Sequence, residues 1–220
     1  MKRILSGIML LSLSVTAALS ACAPKMISEA KAEEAGIALI NHAFGVNETE
    51  AKVKLRSAAR PDGPQSNTNG NSNQTVDRYY SVTVPDGTYD GFLYDAEVNA
   101  QTGTAYFAEM NKGLFPSLTP EQKDLIDRLG AEHGLKSSNI DRELLENAGF
   151  VATEWITQTF QPKQRITEVI NESIFSDNGQ EPLTDINDAI VLEDGTIYYV
   201  TVIWPMMQIQ RVFIFNQGVQ

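Results

Sequence analysis

The apolar residues fall into two stretches of similar kind, each a helix followed by strands. In EAKAEEAGIALINHAFG, residues 29–45, they recur at helical spacing and bring Ala30, Ile37, Ile40 and Phe44 near one face. Ser28 is a good N-cap, Glu29 suits the positive end of the helix dipole, and Gly45 sits where a helix closes. KVKLRS, residues 52–57, alternates as a strand does. Residues 61–75, PDGPQSNTNGNSNQT, contain no hydrophobic residue to offset the entropy of ordering, so a mobile loop is predicted there. Alternation resumes at Tyr80, Val82 and Val84, turns at Asp86-Gly87, and continues through Phe92, Tyr94, Ala96 and Val98. A second turn at Thr102-Gly103 leads into the strand TAYFAEM.

The second stretch opens with Thr119-Pro120-Glu121-Gln122, a capping box with proline in the first helical position. Leu125, Ile126 and Leu129 form its apolar stripe, and the helix is predicted to end near Gly134. A short second helix is predicted over residues 138–148, with Ile140, Leu144 and Leu145 inward and Gly149 ending it. Residues 151–175 read equally well both ways: Ala152, Ile156 and Phe160 keep helical spacing, while the Thr, Val and Ile content favours strands. AIVLEDGTIYYVTVIW is a hairpin around Asp194-Gly195, and MQIQRVFIF supplies one further strand. Helix then hairpin loosely repeats the first half, although no counterpart of its VNAQTG stretch recurs.

The amino terminus changes the setting. Lys2 and Arg3 precede an uncharged stretch over residues 4–19 that is too short, and too rich in Ser and Thr, for a spanning helix of about 20 apolar residues. Leu19-Ser20-Ala21-Cys22 follows and resembles the lipobox of bacterial lipoproteins. That resemblance implies cleavage before Cys22 and a diacylglycerol on its thiol, so that residues 1–21 are a signal peptide and 22–27 a lipidated tether. An ordinary signal peptide containing a cysteine is the competing reading. Cys22 is the only cysteine, so no intramolecular disulfide can form. The formal charge is −11; residues 1–21 carry Lys2 and Arg3 and no acid, which leaves −13 from Cys22 onward. Such an acidic chain is a poor partner for nucleic acid or for anionic lipid headgroups. Membrane contact is therefore assigned to the lipid on Cys22, and the location to the cell membrane, on its periplasmic or extracellular side.

A helix, a Gly-led connection, a strand, the Tyr80-x-Val82-x-Val84 strand and then Val98-Asn99-Ala100-Gln101-Thr102-Gly103 together resemble the PepSY domain, over roughly residues 28–110. Asn99 stands where that family usually has Asp, which keeps a turn-capping side chain and loses the charge. The polar insertion at 61–75 is a second departure. The resemblance implies a non-catalytic module of the kind found in peptidase propeptides and bacterial exported proteins. The predicted architecture is α+β: a helix packed on an antiparallel meander over 28–112, then a second α+β domain over 113–220 with two helices and a C-terminal antiparallel sheet.

Candidate chemistry is sparse. Asp86, Thr88, Asp90, Gly91 and Glu97 have the spacing of a calcium loop, yet the alternation around them demands a strand, which spreads the carboxylates apart. A second acidic stretch, residues 176–188, reads as a solvated connection. His42 and His133, the only histidines, both fall late in predicted helices and outside any zinc motif. No nucleophile or phosphate-loop pattern appears, so neither catalytic residues nor a metal or other cofactor are assigned. The aromatics are the remaining resource. Adjacent aromatics on a strand point to opposite faces, so one of Tyr79/Tyr80 and one of Tyr198/Tyr199 must leave the core. Tyr79, Tyr89, Tyr94 and Tyr198 are taken as a binding surface. The expected function is a lipid-anchored binding or regulatory module acting on an exported peptidase or another envelope protein; the alternative is a solute- or glycan-binding lipoprotein with an aromatic cleft between its halves.

Overall fold

A computed structural model describes residues 25–59, 76–88, 91–176 and 182–216. The expected signal peptide and Cys22, the stretch 61–75 expected to be a loop, Tyr89 and Asp90 lie outside the described residues. In chain order the elements are α1 (Glu29–Phe44), β1 (Lys52–Ala59), β2 (Val76–Pro85), β3 (Phe92–Asn99), β4 (Ala105–Met110), α2 (Pro120–Leu129), α3 (Arg142–Thr159), β5 (Ile166–Ser176), β6 (Thr184–Leu192), β7 (Thr196–Trp204) and β8 (Gln208–Asn216). The eight strands form one antiparallel sheet in the order β1-β2-β3-β4-β8-β7-β6-β5.

The fold is thus α+β, but its halves do not build separate sheets. The last strand of each half pairs with the other, β4 against β8, through Phe107–Phe213, Ala108–Val212 and Glu109–Arg211. The second half repeats the order of the first, a helix followed by a four-stranded meander. One apolar row crosses the seam beneath the helices, from Val82 through Ala96, Ala108 and Val212 to Val200, each side chain fully or almost fully buried. Each of its three valines contributes roughly 1.5–3 kcal/mol on burial.

Helix α1 begins and ends as its sequence predicts: the Ser28 hydroxyl accepts from Lys31 N–H, and Gly45 adopts the left-handed conformation. Its buried face keeps Ile40, with Ile37 and Phe44 partly buried against the core, but is centred on smaller residues than expected. Ala32, Gly36, Leu39, Ile40 and Ala43 face the sheet, while Ala30 is exposed. The small residues set the choice. A Cβ at Gly36 would lie 2.6 Å from the Val82 Cβ, so α1 sits closer to β2 than any larger side chain allows. The segment before α1 enters beside the β3–β4 turn, where Ile27 N–H donates to Ala100 O at 2.8 Å and Tyr80 Oη donates to Ile27 O at 2.9 Å.

Three predicted boundaries in the second half are corrected. The capping box at Thr119 and Gln122 forms, but α2 ends at Leu129, with Gly130 in the left-handed cap, rather than near Gly134. His133 therefore lies outside a helix. Helix α3 starts from an Asp141 cap, after a single 3-10 turn at Ser137–Asn139, and runs to Thr159 through Gly149. Gly149 does not end it, because this glycine faces the sheet: a Cβ there would stand 3.1 Å from Val169 Cγ1. The ambiguous stretch divides between the second half of α3 and the edge strand β5. The acidic stretch 176–188 is not all solvated connection either, since Asp185 and Asp188 lie within β6 and Asp188 is fully buried.

Candidate binding surface

Helices α1 and α3 pack on the same side, and their packing separates the two faces of the sheet. On the open face, side chains of opposite parity to the core residues line up across strands. One row runs Lys52, Thr83, Asp95, Glu109, Arg211, Thr201, Asn187 and Ser173, a polar residue from every strand in direct register. Its members are knitted together. Thr83 Oγ1 donates to Asp95 at 2.5 Å and Ser81 Oγ at 3.2 Å, Arg211 Nε meets Glu109 at 3.1 Å, Thr201 Oγ1 donates to Asn187 at 2.7 Å, and Asn187 Nδ2 donates to Ser173 Oγ at 3.1 Å.

Beside it runs a second row, Ser81, Glu97, Phe107, Phe213, Tyr199 and Ala189, polar at one end and aromatic in the middle. Tyr106 joins this cluster because the register slips between Glu97 and Val98, making it the extra residue of a bulge. Its ring meets Phe213 edge to face at 5.4 Å, and its hydroxyl donates to Glu97 at 2.8 Å. Tyr199 tilts against Phe213 at 6.4 Å, and the Arg211 guanidinium lies 6.0 Å above the Phe107 ring. Tyr199 and Phe215 are 38% and 37% exposed, well above what a covered sheet face shows.

Burial is the main electrostatic influence here. It pushes the Asp95 carboxyl up to about 6, against the stabilising hydroxyls of Thr83 and Ser81 and with further repulsion from Glu109 and Glu97. The Glu97 carboxyl is also raised, chiefly by burial, with the Tyr106 hydroxyl opposing and Glu109 adding to the shift. Asp86 is lowered by its hydrogen bonds from Thr88, at the far end of β3 from Glu97, so the calcium-loop spacing does not close on one point. Among the described residues no three His, Cys, Asp or Glu side chains are grouped so as to hold a metal ion. Among them, too, no helix is long and apolar enough to cross a membrane.

The chain matches none of the protein families, curated proteins or solved structures with which it was compared. The surface therefore has to be read from its own residues.

Of the three described tyrosines expected on a binding surface, only Tyr79 lies on the open face, half-buried and paired across the ladder with Arg56 and Asn99; Tyr89 lies outside the described residues. Tyr94 is buried beneath α1, stacked on Phe44 at 5.5 Å. Tyr198 is buried against Phe160 at the end of α3, at 5.2 Å, and its neighbour Tyr199 is the exposed one. A period of two carried that information: Tyr198 shares parity with Val200 and Val202, and Tyr94 with Ala96 and Val98. Asn99 does cap its turn, its Oδ1 accepting from the backbone N–H groups of Gln101 and Thr102 at 2.9 Å each. The groove between α1 and α3 holds about 420 Å³ and is lined by Phe44, Trp155, Met110 and Ile209, with Gln158 and Gln208 at its polar side.

Proposed function

We propose that this is a lipid-anchored envelope protein, tethered through Cys22, that binds another exported protein on the open face of its sheet. The observation that carries the reading is the cluster of Tyr106, Phe107, Tyr199, Phe213 and Phe215 on the face without helices, flanked by a hydrogen-bonded polar row. Aromatic and arginine side chains at the centre, ringed by polar groups, are the composition of protein-binding patches. Tyr106 meets Phe213 edge to face and Tyr199 is tilted against it, so the rings offer knobs and pockets to a protein and no flat platform to a sugar chain. The PepSY resemblance of the first half makes an exported peptidase the leading kind of partner, restrained without chemistry by the module itself. A photo-crosslinking residue at Tyr199 in intact envelopes should yield a discrete adduct, while the same residue at Lys31 on α1 should not. Equal adducts at both positions, or none above a lipidated control, count against the reading.

A second reading rests on the groove between α1 and α3, whose Phe44 and Trp155 could hold a solute or a glycan. Quenching of Trp155 emission by soluble envelope sugars, abolished by Trp155→Phe, would favour it over the open face.

A further inference from the structure

A second, larger groove lies at the opposite end of the strands from the tether. It holds about 640 Å³ between α2 and α3, with the β7–β8 turn as its floor. This is within the range of about 300–1,000 Å³ of ligand sites. Leu125 and Leu129 of α2, Leu144 of α3, and Trp204, Pro205 and Met207 of the turn make its wall and floor apolar.

The polar side of the groove has one sign. Asp141, Glu143 and Glu146 stand along the first turns of α3, and none of the residues lining the groove is basic. Asp141 caps the helix through Leu144 N–H at 2.8 Å and Glu146 pairs with Arg142, but Arg142 itself is not among the lining residues. An apolar trough with an acidic bank is the complement of an amphipathic segment whose polar face is basic.

We propose that this groove docks a basic amphipathic helix of a partner protein, leucine-like side chains on Trp204 and Met207 and its lysines or arginines along the α3 carboxylates. The site is separate from the open face and does not depend on it. Ile27 bonds to Ala100 at the other end of the strands, so with the anchor proposed at Cys22 the groove would lie away from the membrane.

The test uses the whole lipid-anchored chain in nanodiscs of zwitterionic lipid, with empty nanodiscs as blank. The probes are two fluorescein-labelled 15-residue helices with the same leucine stripe, one with lysine and one with glutamate on the polar face. Anisotropy should show saturable binding of the lysine peptide, weakening as salt is raised, and binding of the glutamate peptide at least about tenfold weaker. Glu143→Lys with Glu146→Lys, both exposed and free of core contacts, should weaken the lysine peptide about tenfold while circular dichroism stays unchanged. Leu129→Ser should weaken both peptides. Equal binding of the two peptides, an affinity untouched by the charge reversals, or no binding above the blank overturns the proposal.

Discussion

Counting outward along the ladder from the Ala108–Val212 pair, one side meets Ala96 and then Val82, the other Val200 and then Asp188. These equivalent places beneath the helices are filled differently. Gly36 of α1 rests on Val82 so closely that no Cβ fits. Gly149 of α3 passes over Asp188 at a greater distance: a Cβ there would stand 3.9 Å from Oδ1, and its tighter neighbour is Val169 on the edge strand. Asp188 is fully buried; Asn171 Nδ2 donates to its Oδ1, and its Oδ2 has no partner. Burial pushes its carboxyl up to about 6, with the Asn171 hydrogen bond opposing. At this place in the ladder the first helix meets the sheet by apolar fit, the second partly over a polar pair whose cost depends on pH.

Exchanging the two solutions breaks the comparison most severely. Val82→Asp puts a carboxylate beneath α1 with no Asn171 equivalent, and should cost about 4 kcal/mol or more, seen as loss of the native circular-dichroism signal. Gly36→Ala forces α1 off β2 and should cost about 1–3 kcal/mol in urea denaturation. Gly149→Ala should cost less than about 1 kcal/mol, because Val169 is 43% exposed and can turn aside.

The pH dependence sharpens the same contrast. Asp188 has a folded pKa raised above its ordinary value of 3.8, so the stabilisation it gives when protonated is complete below that value and is lost as pH rises through about 6. Between pH 4 and 7 the protein should lose on the order of 1–3 kcal/mol through this group. Asp188→Asn should flatten that loss in urea midpoints measured at each pH, whereas Asp95→Asn, on the half-buried open face, should flatten it less. An unchanged profile in Asp188→Asn would falsify the assignment. The smallest effects belong to the exposed side: Tyr199→Ser, or Arg211→Gln at the Glu109 pair, should change stability in urea denaturation by about 1 kcal/mol or less.

How far the chain could be read in advance follows from the range of the forces involved. Ser28, Gly45, Thr119 with Gln122, and Asn99 all do what their types and spacing announce, since a cap or turn is settled within about four residues. Gly149 misleads, because a helix-ending glycine and a close-packing one look alike until the sheet beneath is known. Tyr198 and Tyr199 were separable by parity with Val200 and Val202. Tyr106 and Phe107 were not: a bulge turns both to one face, and a bulge is a property of the pairing rather than of either strand. Asp188 sits in an acidic stretch that reads as solvent-facing, and only its place on β6 under α3 makes it a buried charge.

By itself, then, the sequence determined the elements of the first half, the start of α2, the hairpin around Asp194-Gly195 and the last strand, with the caps that bound α1 and start α2. Each of these depends on neighbours along the chain. The tertiary structure alone decided that the two halves share one sheet and that one face is left without helices. It also decided that Arg211 meets Glu109, 102 residues away, amid the aromatic cluster. Those outcomes rest on strand pairing and face coverage, where distant residues compete for the same hydrogen bonds and apolar surface, and no local pattern records which pairing wins.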